Sequence, residues 1–234
     1  MTDISNWEYY YNIERNDGVL EKVRANLVYT PRVSPDKKTF CLDYNRDISY
    51  HFEEDVNRDW NDYELETRFD REIKFCAIAK EYGIPVLDIK EVDYGKRRIF
   101  IEWVGDDFSV QTFEKDRDIV LPDWKEQWLE LFRKMQQASI YKISLHPNSY
   151  TIRDGELVPF NWFFSYGHNE LPITLQSLLL QISKQRQEKL AKVLNDMGYD
   201  LSTHYKLDTI QKIGLNSFRS NYPSELIDEA LKLV

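Results

Sequence analysis

One helical pattern interrupts a strand-rich first half of the chain. Between Tyr63 and Tyr82, apolar residues recur every three or four positions, which predicts an amphipathic helix. Gly83 follows and can take the left-handed conformation that often ends a helix. Alternating apolar residues in Glu21–Tyr29 and Thr39–Tyr44 come first and predict an antiparallel hairpin or meander. A single helix embedded among strands indicates an α+β architecture.

A second hairpin is predicted directly after this helix. Residues 84–87 lead into a strand, residues 93–96 form a turn, and Arg98–Val104 form the returning strand. Gly105 then breaks the pattern. Asp106 and Asp107 are either a cation-binding pair or solvated acidic surface, and we expect the second.

The rest of the chain is mainly helical in pattern. Pro122 and Asp123 are typical of a helix start, and Asp154-Gly155 predicts a hairpin turn within residues 150–160. Residues 171–234 predict two or three helices, punctuated by Gly198 and Gly214. The sequence therefore predicts two lobes: a strand-rich one over residues 1–105 and a mainly helical one over residues 106–234.

Composition restricts the classes of partner. The 234 residues carry a formal net charge of −9, which disfavours nucleic-acid binding. The strongly apolar stretch at residues 175–182 is too short to span a bilayer, so no membrane association is expected. The first ten residues lack the pattern of a signal peptide. These features predict a cytoplasmic protein.

Cysteine and histidine offer no metal site. Cys41 and Cys76 have apolar or small neighbours and are predicted to be reduced core residues, without a CxxC pair. The four histidines are far apart in the sequence and lack metal-type spacing. They are His51, His146, His168 and His204.

One segment suggests a family. Residues 140–162 have the sequence IYKISLHPNSYTIRDGELVPFNW. Residues 144–149 resemble the Asp-Leu-His-Pro-x-Asn signature of the aminoglycoside phosphotransferase and choline kinase-like families. Asn161 lies where those families have the Asp of an Ile-Asp-Trp metal-binding step. Upstream, residues 71–85 resemble the helix with the ion-pair Glu, here Glu72, and residues 99–105 resemble the strand leading to the hinge that holds adenine.

The resemblance covers about residues 39–166 and implies a two-lobed kinase-like fold. It also implies a cleft between the lobes, with candidate residues on both sides. These candidates are Glu72, Glu102, Val104, Asn148 and Asn161. The implied cofactors are ATP and Mg²⁺, with Asn148 and Asn161 as candidate metal ligands.

These residues do not supply the groups that phosphoryl transfer needs. The reaction depends on an acid that orients the acceptor, on magnesium ligands, and on a Lys at the phosphates. Ser144 replaces the catalytic Asp, Ser149 replaces the metal-binding Asn, and Asn161 removes a charge. Asp43 is aligned with the family's Lys, for which Lys37, Lys38 and Arg46 are the nearest substitutes.

Three hypotheses remain open from the sequence. The first is a catalytically degenerate, pseudokinase-like protein that binds a nucleotide or a protein partner. The second is an active, atypical phosphotransferase that uses Asn148, Asn161 and a relocated acid such as Asp154. The third is an interaction protein outside the kinase superfamily, such as a phage-encoded accessory protein. In that third case His146 caps an ordinary turn and Asn161 bonds a backbone group within the core.

Overall fold

A computed structural model describes residues 2–16, 19–24, 29–45, 62–112, 115–167, 170, 173–179 and 184–234. Arg46, His51 and His168, together with most of the acidic stretch after residue 50, lie outside the described residues.

Strands occupy much of the first half and short pieces of the second. They are β1 Glu8–Tyr9, β2 Tyr11–Asn16, β3 Val19–Arg24, β4 Thr30–Val33, β5 Thr39–Asp43, β6 Ile89–Asp93, β7 Arg98–Glu102, β8 Ile140–Lys142, β9 Tyr150–Arg153, β10 Glu156–Pro159, β11 Ser165–Gly167, β12 Ile173–Thr174 and β13 His204–Tyr205. The helices are α1 Asp62–Glu81, α2 Phe108–Gln111, α3 Arg117–Val120, α4 Trp124–Gln137, α5 Leu175–Leu179, α6 Lys184–Asp196, α7 Leu207–Ser217 and α8 Ser224–Leu231.

A five-stranded antiparallel sheet organises the first half, in the order β1-β4-β5-β7-β6. The chain leaves the sheet after β5, forms α1, and returns through the β6–β7 hairpin, so that β7 pairs with β5. The α+β class and this hairpin are thus confirmed. Strands β2 and β3 form a separate two-stranded hairpin.

Helix α1 has one buried stripe that touches two parts of the core. Arg68, Phe69, Glu72, Phe75 and Cys76 are all buried, at the spacing of one helical face. Phe69 packs with the inner face of the sheet, whereas Phe75 and Cys76 pack with α4. The helix therefore joins the sheet to the helical part of the molecule.

The end of α1 was predicted correctly. The N–H of Gly83 donates to the Lys80 carbonyl at 3.1 Å, and the N–H of Ile84 donates to the Ala79 carbonyl at 3.0 Å. Gly83 has φ +66°, so this is the glycine-terminated cap in which a left-handed residue satisfies the last carbonyls.

The predicted helix after Asp123 and the predicted hairpin at Asp154-Gly155 are confirmed as α4 and as β9–β10. Asp154 and Gly155 have φ of 53° and 81°, which suits the tight turns that join two antiparallel strands.

The end of the chain differs from the prediction. The described residues after 171 form four helices and the paired strands β12 and β13, where two or three helices were expected. Gly214 does not separate helices but lies inside α7, which packs against β8. A Cβ at this position would make an ordinary 3.9 Å contact with the Ile143 carbonyl oxygen.

The sheet shares its core with later segments. A cluster that includes Phe40, Leu42 and Ile99 also contains Val158 from β10 and Phe163. All five strands of the sheet lie between residues 8 and 102, and α2 follows Gly105. A division into two lobes at Gly105 remains a prediction.

None of the helices in the described part of the chain combines the length and the hydrophobicity that a membrane span requires.

We predict that Gly83→Ala destabilises the protein by about 1 kcal/mol, because an alanine Cβ is strained in the left-handed conformation. The space around Gly83 is open, so this effect isolates backbone strain. Gly95→Ala is the matched control, since Gly95 is outside the left-handed region and its Cβ would make an ordinary 3.5 Å contact with Asp93. Urea denaturation of both variants measures the difference, and equal midpoints would contradict the prediction.

Candidate functional site

Glu72 is a carboxylate enclosed at the centre of the molecule. It lies midway along the buried stripe of α1 and is 4% exposed. Its Oε2 accepts a hydrogen bond from the Phe163 N–H at 2.7 Å, and the neighbouring N–H of Trp162 also favours its charged form. Burial nevertheless raises the pKa of Glu72, because an ion is costly to hold away from water. Glu72 thus ties α1 to the segment that follows β10.

Lys142 on β8 supplies the opposite charge. It is fully buried, and its Nζ donates to the carbonyl oxygens of Phe160 and Asn161 at 2.7 Å each. Its ammonium also lies 5.1 Å from the centre of the Trp162 ring. Burial lowers the pKa of Lys142, and the charge of Glu72 opposes that shift. Each of the two charged groups is bonded to backbone groups, and the two charges attract each other across the interior. We call Glu72, Lys142 and residues 160–163 the buried ion-pair site.

Sequence reasoning missed Lys142. Its position in the sequence indicates a buried lysine, because it lies between Tyr141 and Ile143 in a strand too apolar for a solvated charge. A buried lysine of this kind requires a partner, and Glu72 was the acid already singled out.

Asn161 directs both its backbone and its side chain into this site. It has φ 60° and ψ 57°, a left-handed conformation that Asn tolerates better than most residues. Its Oδ1 accepts a hydrogen bond from the Tyr29 hydroxyl at 2.5 Å. The partner is a side chain and not the backbone group expected under the interaction-protein hypothesis. Tyr29 in turn packs against Tyr44 and Phe163.

The loop with the His-Pro motif is held by its own short-range bonds. Ser144 and Ser149 share a hydrogen bond of 2.8 Å between their hydroxyl oxygens, and Ser149 is fully buried. Nδ1 of His146 accepts from the Asn148 N–H at 3.1 Å and caps a 3₁₀ turn at residues 147–149. The Phe160 N–H donates to the Ser149 carbonyl, which links the loop to the ion-pair site.

Asp43 lies on the opposite face of the sheet from Phe40 and Leu42. Its carboxylate pairs with Arg98 at 3.0 Å, and it shares its face with Cys41. Burial raises the pKa of Asp43, and its bonds to Asn45 and Arg98 oppose the shift. Because side chains alternate across a strand, the next residue, Tyr44, points inward toward Glu72. The structure does not bring Asp43 together with Glu72.

Two other candidate residues connect the sheet to its surroundings. Glu102 pairs with Arg153 of β9 at 2.5 Å and accepts from the Asp88 N–H. Val104 packs at the edge of the sheet cluster. Asp154 is exposed at the turn of the β9–β10 hairpin, at the other end of that hairpin from Ser149.

The expectation of a solvated Asp107 is wrong. Asp107 is 4% exposed and caps α2 by accepting from the Val110 N–H at 3.1 Å. The Tyr10 hydroxyl donates to Asp107 Oδ2 at 3.0 Å, and the Asp107 N–H donates back to that hydroxyl at 3.3 Å. Burial raises the pKa of Asp107 to about 6, although these bonds favour the ionised form. The sequence missed Tyr10 because its partner is 97 residues away.

A small cavity lies beside the ion-pair site. A cavity of about 10 Å³ lies between α1 and the sheet. Its lining consists of Glu72, Cys76, Leu87, Ile89, Ile99, Ile101, Phe160 and Trp162. This volume suits a single water and is far too small for a nucleobase.

These residues do not fit a magnesium nucleotide in the conformation described. Magnesium binds hard oxygen ligands and usually at least one carboxylate. Asn161 is neutral and its Oδ1 already accepts from Tyr29, while Glu72 is bonded to backbone N–H groups. Among the described residues, no group of three or more His, Cys, Asp or Glu is placed to hold a metal ion.

Comparisons with known proteins give a structural likeness alone. No protein-family model and no curated protein sequence matches the chain. A solved structure that resembles it is the crystal structure of the Rio2 kinase-ADP/Mg²⁺-phosphoaspartate complex from Chaetomium thermophilum. The two chains are 10% identical with a TM-score of 0.44, over 96% of this chain and 69% of the other.

We predict that Lys142→Met destabilises the protein by about 3–5 kcal/mol, because it leaves the Glu72 carboxylate buried without its counter-ion. Glu72→Gln in the same chain should restore part of the loss, since a neutral amide costs less to bury. Urea denaturation of both single variants and the double variant measures the coupling. Strictly additive effects would contradict an electrostatic interaction between Glu72 and Lys142.

Asp107 predicts a specific pH dependence of stability. Its pKa is about 6 in the folded protein against an ordinary value of 3.8. The carboxyl group of Asp107 therefore binds its proton more tightly in the folded state than in the unfolded state. The contribution of Asp107 to the free energy of unfolding therefore rises by up to about 3 kcal/mol as the pH falls through 6 toward 4. That gain is lost as the pH rises again.

Asp107→Asn retains an acceptor for the α2 cap but cannot titrate. The stability advantage of the variant over the natural protein should therefore shrink as the pH is lowered from about 7 to about 4. Urea denaturation across this range tests the prediction, and identical pH profiles would contradict it.

Proposed function

We propose that this chain is a kinase-fold protein that acts by binding and does not transfer phosphate. The order of elements supports the kinase-like part of the proposal. Among the described residues, strands precede α1, a two-stranded hairpin returns to the sheet, and helices come before and after the loop with the His-Pro motif. Within that order, Glu72 and residues 160–163 lie in contact, as the sequence motifs imply.

One observation supports the proposal that this protein does not transfer phosphate. Glu72 and Asn161, which the family resemblance would assign to a magnesium nucleotide, are both bonded within the protein. Glu72 accepts from the Phe163 N–H and is attracted by the charge of Lys142 from β8, so it is already engaged where a kinase would use it to position a Lys from the sheet. Since phosphoryl transfer depends on positioning and charge neutralisation, these internal bonds remove the groups that would supply both.

The loop at residues 144–149 supports the same proposal. Ser144 cannot act as an anionic base at neutral pH, and its hydroxyl is bonded to that of Ser149. Asp154, the acid that an atypical phosphotransferase would use, lies at the distal turn of its hairpin. The retained function is then the recognition of a partner by the folded surface, with a protein partner favoured over a magnesium nucleotide.

A thermal-shift titration with ATP and Mg²⁺ tests the proposal. A nucleotide present at 100 times its Kd would add about 2.7 kcal/mol of stability and raise Tm by several degrees. We expect no Mg²⁺-dependent increase in Tm for the natural protein. ADP with and without EDTA is the control for weak, metal-independent binding.

Incubation with radiolabelled ATP provides the second measurement. We expect no label on the protein itself or on small hydroxyl compounds. Label transfer that is abolished by Asn161→Ala would overturn the proposal in favour of an active phosphotransferase. Transfer that survives Asn161→Ala would also overturn it and would exclude Asn161 as a metal ligand.

A further inference from the structure

The chain leaves the sheet through residues 102–107, which run from the end of β7 to the start of α2. We call this range the crossing segment. At its first residue, Glu102 Oε1 accepts hydrogen bonds from Arg153 Nη1 at 2.5 Å and from the Asp88 N–H at 3.0 Å. The same Arg153 nitrogen donates to the Val86 carbonyl at 3.0 Å. One arginine of β9 therefore fastens both the crossing segment and the link that precedes β6.

The far end of the crossing segment is held by the same strand. The Thr151 hydroxyl donates to the Asp106 carbonyl at 2.9 Å, and Asp107 forms an antiparallel bridge with Thr151. Thr151 is buried. Because Thr151 and Arg153 are two positions apart on β9, their side chains stand on the same face of the strand. Strand β9 thus holds the crossing segment at both ends.

The second strand of the hairpin contributes to two cores. Leu157 and Val158 are both fully buried on β10, and adjacent residues of a strand point to opposite sides. Leu157 belongs to the cluster around α4, whereas Val158 belongs to the cluster of the sheet. Gln127 of α4 also accepts from the Leu157 N–H at 2.7 Å and donates to the Gly155 carbonyl at 3.0 Å. The hairpin is therefore bonded to the sheet, the crossing segment and α4.

We propose that the β9–β10 hairpin is a splint that fixes the sheet to the helices, so that the crossing segment does not act as a hinge. Parts of a chain that share only a small, polar interface move relative to each other by default. Here a rotation at the crossing segment would break the bonds of Arg153 and Thr151 and would draw Leu157 or Val158 out of its core. Contacts that must break together make the opening cooperative.

The splint has a consequence for binding. When the sheet and the helices form one rigid body, a partner that contacts both meets a surface that is already arranged. Binding then costs less ordering entropy than it would at a surface that closes on its partner. The splint does not depend on which ligand the protein binds, so it can be tested separately from the proposed function.

Hydrogen exchange of the backbone amides under native conditions tests the proposal. In the natural protein we expect the slowest amides of β5 and β7 to have protection factors within about threefold of those in α4, because the two parts open only together. Arg153→Met should lower the protection of β5 and β7 relative to α4 by about tenfold or more, since it removes bonds made by a charged group. Arg133→Met is the matched control. It removes the same charge from an exposed pair with Glu130 within α4 and should leave the ratio unchanged.

Thr151→Val is a second variant that keeps the shape of the side chain and all charges. It leaves the Asp106 carbonyl without its hydroxyl donor, so we expect a change of ratio in the same direction but smaller. This variant decides the question if Arg153→Met does not fold.

Three results would overturn the splint. They are unequal protection of the sheet and α4 in the natural protein, an unchanged ratio in both hairpin variants, and an equal change of ratio in Arg133→Met. None of them would affect the proposal that this protein does not transfer phosphate. Label transfer from ATP would overturn that proposal and leave the splint standing.

Discussion

The burial of two opposite charges, on Glu72 and Lys142, is the constraint on which the arrangement of the site depends. A carboxylate and an ammonium in the interior are tolerated only when each has a partner and hydrogen bonds. Glu72 comes from α1 and is bonded to the Phe163 N–H, while Lys142 comes from β8 and is bonded to the carbonyls of Phe160 and Asn161. Three separate segments must therefore meet in one geometry. A shift in any one of them would leave a charge unpaired away from water.

This arrangement uses polar groups for structure where a phosphotransferase would use them for chemistry. Glu72 binds backbone N–H groups, and Asn161 accepts from Tyr29. The aromatic cluster around Tyr29, Tyr44 and Phe163 then packs the space between the sheet and the segment after β10. The same side chains cannot both hold this core together and remain free for a magnesium nucleotide. We infer that any recognition by this protein takes place at its surface or at a site opened by a change of conformation.

Much of the local structure could be predicted from the sequence. The helical spacing and Gly83 defined α1, and Asp154-Gly155 defined the β9–β10 hairpin, because helix caps and tight turns depend on neighbouring residues alone. The helices after residue 171 were predicted less well. Gly214 lies inside α7, and α7 packs against β8, a contact between distant segments that no local pattern records.

By itself, the sequence determined the α+β class, the extent of α1, and the presence of Ser144 and Asn161 where the family resemblance would place acids. Only the tertiary structure decided that Glu72 is buried and which groups these polar residues contact. The partners Lys142–Glu72, Tyr29–Asn161 and Tyr10–Asp107 are each separated by tens of residues or more. Periodicity reports which side of an element is buried, but not which distant group it meets there. These contacts depend on how the sheet, α1 and the loops pack. They determine whether a polar residue is available for binding or catalysis.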